Sequence, residues 1–173
     1  MDNASRAQTR RRIRLFHDAD EAEMISVWHR SGLAAYPYLP TWQALTMERT
    51  QFIFHNIIRA QCAIWVGTLD AQIVAYLAMN KSYIDRLYVD PSEWRKGWGT
   101  RFIRLAKRLS PSGLELHTHQ ANAAARALYE RHGFQAITFG ISPPPSPPRM
   151  WNTIGVHSRP TSQHACGVEP GSP

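Results

Sequence analysis

Two cysteines in 173 residues are too few for a disulfide framework. Cys62 lies in an apolar run and Cys166 in a tail-like segment, so two unpaired thiols are expected. No apolar stretch approaches the ~18 residues of a membrane span. The basic N-terminus is not followed by the apolar run of a signal peptide. A soluble cytoplasmic protein with no membrane partner is the expectation. Acid is also scarce: 13 Asp plus Glu face 20 Lys plus Arg, a net charge of +7 with His neutral. That excess invites an anionic partner, whether a phosphate ligand or a nucleic acid. The chain has neither the Gly-Lys-Ser/Thr of a P-loop nor the third glycine of a dinucleotide fingerprint.

What is present suits one globular domain, with 43% hydrophobic and 19% charged residues. Five arginines up to Arg14 mark residues 1–12 as a basic arm. Eight of the twelve prolines fall in 141–173, a Pro-rich and disordered tail through which neither helix nor central strand can run from Pro143 to Pro148. The domain is then 13–140.

Within it, Asp18 or Asp20 caps a helix carrying Met24, Ile25, Val27 and Trp28, with Gly32 as its stop. A second helix runs from Glu48 to Ile58 with Phe52, Ile53 and Ile57 on one side. Cys62–Val66 and Ile73–Met79 read as a hairpin around Gly67 to Asp70, and Tyr83–Val89 as a further strand. Trp98, Phe102, Ile103, Ala106 and Leu109 keep helical spacing up to Pro111-Ser112-Gly113. A strand at Leu114–Thr118, a helix from Asn122 to Gly133 and a strand at Phe134–Phe139 follow. This order means α/β with a mixed sheet.

Chemistry concentrates after Tyr83–Val89, where Trp94-Arg95-Lys96-Gly97-Trp98-Gly99-Thr100 opens a helix. A strand, a glycine turn and a helix N-terminus gather unpaired amides at the positive end of a dipole, a cradle for phosphate. Arg95 and Lys96 add charge, and no acid occurs from Arg95 to Arg108. A solvated basic helix is the plainer account of the same residues.

Here the chain resembles the GNAT N-acetyltransferases. Their cofactor motif, Val-x-Pro followed by Gln/Arg-x-x-Gly-x-Gly/Ala and a helix, is matched by Val89-Asp90-Pro91 and Gly97-x-Gly99, with Trp94 at the Gln/Arg position. Their second motif is matched by Asn122, Ala125, Tyr129 and Gly133-Phe134. The resemblance covers Tyr83 to Phe139 and implies a single-domain GNAT-like fold with a mixed, mostly antiparallel twisted sheet flanked by helices. It implies transfer of acetyl from acetyl-coenzyme A to a primary amine of a small molecule or peptide. Leu87, Tyr88, Val89, Arg95, Lys96, Gly97, Trp98, Gly99, Thr100, Asn122 and Ala125 would bind the cofactor, and Tyr129 would protonate the leaving sulfur.

Asp85 is the candidate base, because period-2 alternation places it with Leu87 and Val89 on an apolar face; an Asp paired with a nearby Arg is the alternative. His117 and His119 form His-x-His, too few ligands for zinc. Tyr36, Pro37, Tyr38, Pro40 and Trp42 suit a small-molecule wall or a packed lid. A nucleic-acid-binding module and a non-catalytic acyl-coenzyme A domain are the competing functions. Nucleic acid is not favoured, and a homodimer is left open.

The resemblance also calls for a closing strand after Phe134–Phe139, where prolines stand instead. Around the single-codon residues Met150 and Trp151, a shifted frame would encode a more strand-like, alternating and aromatic segment. Two readings follow: a frame shift near Pro143 to Arg149, leaving residues after about Ser142 unable to complete the sheet, or a natural disordered tail.

Overall fold

The computed structural model of the protein describes residues 10–141 and 152–158. Seven strands form one sheet in the order β1-β2-β3-β4-β5-β7-β6: β1 (Arg11–Leu15), β2 (Ala63–Leu69), β3 (Gln72–Asn80), β4 (Tyr83–Val89), β5 (Leu114–His119), β6 (Phe134–Ile141) and β7 (Asn152–Ser158). Only β4 and β5 pair in parallel; every other neighbour is antiparallel. The β2–β3 turn is tighter than expected. Asp70 and Ala71 take φ of 49° and 76°, the left-handed pair of a two-residue hairpin, so Gly67 and Thr68 belong to β2.

One face of the sheet is covered by α5 (Trp98–Leu109) and α6 (Ala123–Arg131). There Trp98, Phe102, Ile103 and Ala106 pack on Leu77, Met79, Leu114 and Leu116. The other face is covered by α1 (Glu21–Ala35) and, after the short α2 (Pro40–Gln43), by α3 (Met47–Ile53), a π-helical turn (Phe54–Ile58) and α4 (Arg59–Gln61). Met24, Val27, Trp28, Phe54 and Ile58 meet Val66, Tyr76 and Ala78. Thr50, Phe54 and Ile58, four residues apart, point inward and Phe52 is exposed, so Phe52 is not on the inward side where it was expected with Ile53 and Ile57.

Two elements depart from expectation. Arg11 and Arg12, grouped by charge with the arm, belong to edge strand β1, whose register runs from Arg11↔Leu69 to Leu15↔Trp65. The closing strand that the sequence was expected to lack is present. Asn152–Ser158 pairs with β5 from Leu114↔Ser158 to His119↔Thr153 and with β6 from Phe134↔Ser158 to Ile141↔Asn152. Residues after Ser142 therefore do complete the sheet, which removes the structural ground for a shifted frame. The prolines of 143–148, and residues 159–173 of the expected disordered tail, lie outside the described residues.

Candidate active site

β4 and β5 pair only at Tyr83↔Glu115 and Ile84↔Leu116, although β4 runs on to Val89 and β5 to His119. Beyond Leu116 the two strands part. Asp90 N donates to Val74 O at 2.7 Å on the β3 side, so alternation turns the Leu87 and Val89 amides into the opening and the Tyr88 amide toward β3. The Val89 carbonyl accepts from Ser31 Oγ at 2.8 Å and Trp94 Nε1 at 2.7 Å. Trp94, at the family's Gln/Arg position, thus clamps the end of β4.

Arg95 and Gly97 take φ of 63° and 88° on either side of Lys96, a left-handed pair that turns the loop into α5. No side chain caps this helix, and its hydrogen-bond ladder begins with Arg101 N to Gly97 O at 3.1 Å. The amides of Trp98, Gly99 and Thr100 are left facing outward at the positive helix end. Glu93 fastens the loop from below, accepting from Lys96 Nζ at 2.8 Å and from Trp98 Nε1 at 3.2 Å. Arg11 donates to Lys96 O at 2.9 Å. A Cβ at Gly97 would meet nothing within 4 Å, so the space above the loop is open. Uncapped amides, dipole and open approach fit the pyrophosphate of acetyl-coenzyme A. Gly99 differs from expectation: its Cβ would lie 2.7 Å from Leu128 Cδ2, so its smallness serves the packing of α5 on α6.

Asp85 is not on the face that alternation predicts. The β3–β4 register slips between Ala78 and Met79, which pair with Arg86 and Ile84 and leave Asp85 as a bulge. Ile84, Leu87 and Val89 pack toward α5, whereas Asp85 acts electrostatically on Cys62 and Tyr76 beneath α1. Its Oδ2 lies 3.0 Å from Arg86 Nη1, and Nη1 also donates to Asp85 O at 2.7 Å. The arginine that one of the two sequence readings pairs with this aspartate is its chain neighbour, Arg86. Burial pushes the neighbouring Cys62 thiol up to about 11.

On this second face the aromatics of the α1–α2 region form a wall. The Tyr36 ring lies 5.4 Å from that of Trp42 and 4.7 Å from His119; Trp42 continues to Tyr88 at 6.1 Å and Tyr88 to Tyr76 at 5.9 Å. Asn122 caps α6 through Ala125 N at 3.0 Å and donates to the Tyr36 hydroxyl at 3.3 Å. Tyr129, on α6, is buried against Phe134. Burial, then the nearby Tyr36 and Tyr83, push its phenol well above the ordinary range near 10. His117 hydrogen-bonds the Tyr83 hydroxyl at 3.0 Å, and burial lowers His119. Sequence reasoning missed Arg86 and Glu93. The signal for the first is the three-residue step from Ile84 to Leu87, which breaks period 2 and marks a bulge.

The Acetyltransferase (GNAT) family model matches residues 13–134. The chain belongs to the GNAT acetyltransferase family. Acetyl-coenzyme A is the co-substrate of that family. This GNAT chain is 37% identical over 78 residues to the uncharacterized N-acetyltransferase YafP of Escherichia coli (strain K12), a match covering 45% of the chain and about half, 49%, of the relative. In fold it is similar to apo YjaB from Escherichia coli, at 17% identity and TM-score 0.70 over 88% of this chain and 99% of that one. It is also similar to the PaiA N-acetyltransferase of Thermoplasma acidophilum, solved with coenzyme A, at 16% identity and TM-score 0.62 over 87% and 99%. Among the described residues, no helix of this chain is long and apolar enough to cross a membrane.

Proposed function

We propose that this chain transfers the acetyl group of acetyl-coenzyme A to the primary amine of a small molecule or peptide. The parting of β4 from β5 carries the reading, because it leaves an opening between an uncapped helix N-terminus on one face and the Tyr36, Trp42 and Tyr88 rings with the Asp85–Arg86 pair on the other. Acetyl-coenzyme A supplies the thioester acetyl. The amides from Arg95 to Thr100, with the Arg95 and Lys96 side chains, hold its pyrophosphate, and Asn122 and Ala125 border its pantetheine arm. The Leu87 and Val89 amides donate to the thioester carbonyl, most strongly as its oxygen gains charge. Asp85 takes the proton the amine loses, directly or through water, as the N–C bond forms. Tyr129 returns a proton to sulfur as the C–S bond breaks; its raised pKa keeps that hydrogen in place at neutral pH. The cytoplasm, with its acetyl-coenzyme A and reduced thiols, is the setting this implies.

Calorimetric titration with acetyl-coenzyme A, followed by thiol release with a panel of primary amines, tests the reading. Binding and amine-dependent release are expected. Failure to bind ends it, and binding with no release from any amine leaves only an acyl-coenzyme A carrier.

A further inference from the structure

Arg86 has no part in the transfer described above, and its surroundings are unusual. Its side chain is 18% exposed, with the guanidinium carbon 5.6 Å from the Trp28 ring centroid. Nη1 is taken by the Asp85 carbonyl and carboxylate, but among the described residues Nε and Nη2 donate to nothing. That edge of the fork is the one that takes a carboxylate in two parallel bonds. Around it lie two buried side-chain polar atoms without a hydrogen-bond partner among the described residues, Trp28 Nε1 and Tyr76 Oη, while the buried Asp85 Oδ2 has the ion pair with Arg86 in place of a hydrogen bond. Burial raises the pKa of the adjoining Tyr88 phenol, which the charge of Arg86 and the neighbouring Trp28 indole offset only in part. Tyr76 is fully buried. Natural interiors rarely leave such atoms without hydrogen bonds, and here they gather at one arginine beside the strand opening.

Resting on the acetyltransferase reading, we propose that the acceptor is a carboxylate-bearing amine, an amino-acid-like molecule whose carboxylate is held by Nε and Nη2 of Arg86 while its amine lies toward Asp85. The adjacent pair offers one charge of each sign, matching a zwitterion, and the wall of Tyr36, Trp42 and Tyr88 covers the remaining side chain. A simple alkylamine would leave Nε and Nη2 of Arg86 without an acceptor. A peptide N-terminus brings its amine but no neighbouring carboxylate.

The test compares thiol release from acetyl-coenzyme A with free amino acids, phenylalanine and tryptophan among them, against their amides and decarboxylated amines. The acids should exceed both by about 10- to 100-fold in kcat/KM, the scale of a charge-assisted pair. R86Q should erase that preference by raising KM for the acids far more than KM for the amides, with affinity for acetyl-coenzyme A unchanged; R86K should restore part of it. Amides or decarboxylated amines used as well as the acids by the wild-type protein would overturn the proposal, a comparison that needs no variant to fold. Equal loss of acids and amides in R86Q, with acetyl-coenzyme A still bound, would also overturn it. No release from any amine would instead bring down the acetyltransferase reading, and this proposal with it.

Discussion

A methyl group added at Gly97 meets no atom within 4 Å but must adopt φ of 88°, whereas one added at Gly99 has ordinary helical φ and meets Leu128 Cδ2 at 2.7 Å. Gly97→Ala should therefore cost about 1 kcal/mol in backbone strain and tilt the loop amides, weakening acetyl-coenzyme A binding. Gly99→Ala should be absorbed by a turn of the flexible Leu128 side chain and leave that affinity within about twofold. Calorimetry on both variants distinguishes them, and an equal loss would show that the smallness of Gly99 serves the cofactor as well as the packing of α5 on α6. Tyr129→Phe should lower turnover by on the order of 10²-fold while acetyl-coenzyme A affinity holds, because only the proton donor is lost. Wild-type turnover would make Tyr129 a packing residue. At this scale the glycine turn and the uncapped helix start were legible from residue types alone. The aspartate's surroundings were not, since one bulged residue at Asp85 exchanges the two faces of the strand.

Among the elements, α1 carries a glycine in an unfavourable place for helix propensity, and its reason is Trp42. A Cβ at Gly32 would lie 1.9 Å from Trp42 Cζ3 and within 2.5 Å of two more ring atoms. Gly→Ala inside a helix ordinarily stabilises by up to about 1 kcal/mol. Here the sign should reverse: Gly32→Ala should lower the melting temperature, weaken the near-ultraviolet circular dichroism of the Tyr36–Trp42 stack and raise KM for the acceptor. Acetyl-coenzyme A affinity, determined on the opposite face, should hold; a stabilised protein with unchanged KM would show that Trp42 is free to move aside. The helices were readable from apolar spacing, α5 most clearly. The π turn at Phe54–Ile58 was not, because an extra residue in one turn leaves no mark on composition.

Across the whole molecule, three carboxyls are held below the ordinary range near 4 by their partners, and one of them, Asp90, ties the end of β4 to α1 through Arg30. Hydrogen bonding to Arg14 lowers Asp20, and the Lys96 ammonium lowers Glu93. Burial alone would raise Asp90, but Ser92 and Arg30 outweigh it. Each contributes stability that is present above its unfolded pKa and lost as pH falls through its lower folded value. His119 and His132, lowered first by burial, add an earlier loss below about pH 6.5, since the unfolded chain protonates them first. The melting temperature should thus decline gently below about pH 6.5 and steeply below about pH 4; a rise between pH 6 and 4 would contradict these assignments. The sheet's centre was legible because its strands are apolar runs between clear turns. Its margins were not: β1 is mostly arginine, and β7, although Ile154 and Val156 alternate with Thr153, Gly155 and His157, follows a proline cluster that obscures the pattern.

The position of β7 between β5 and β6 bears on how the chain must be made. β6 leaves the ribosome before β7, yet among the described residues β7 is its only neighbour in the sheet, and β5 likewise waits for it along one edge. Until Asn152–Ser158 has been synthesised, β6 has to stand off from β5 by two strand spacings, roughly 9–10 Å, with both facing edges unpaired. Folding of this half is therefore completed only after synthesis has passed Ser158, and a product released at Ile141 should go to inclusion bodies while the full chain stays in the supernatant. The last strand thus acts as a proofreading step: only translation through to its end yields a closed sheet.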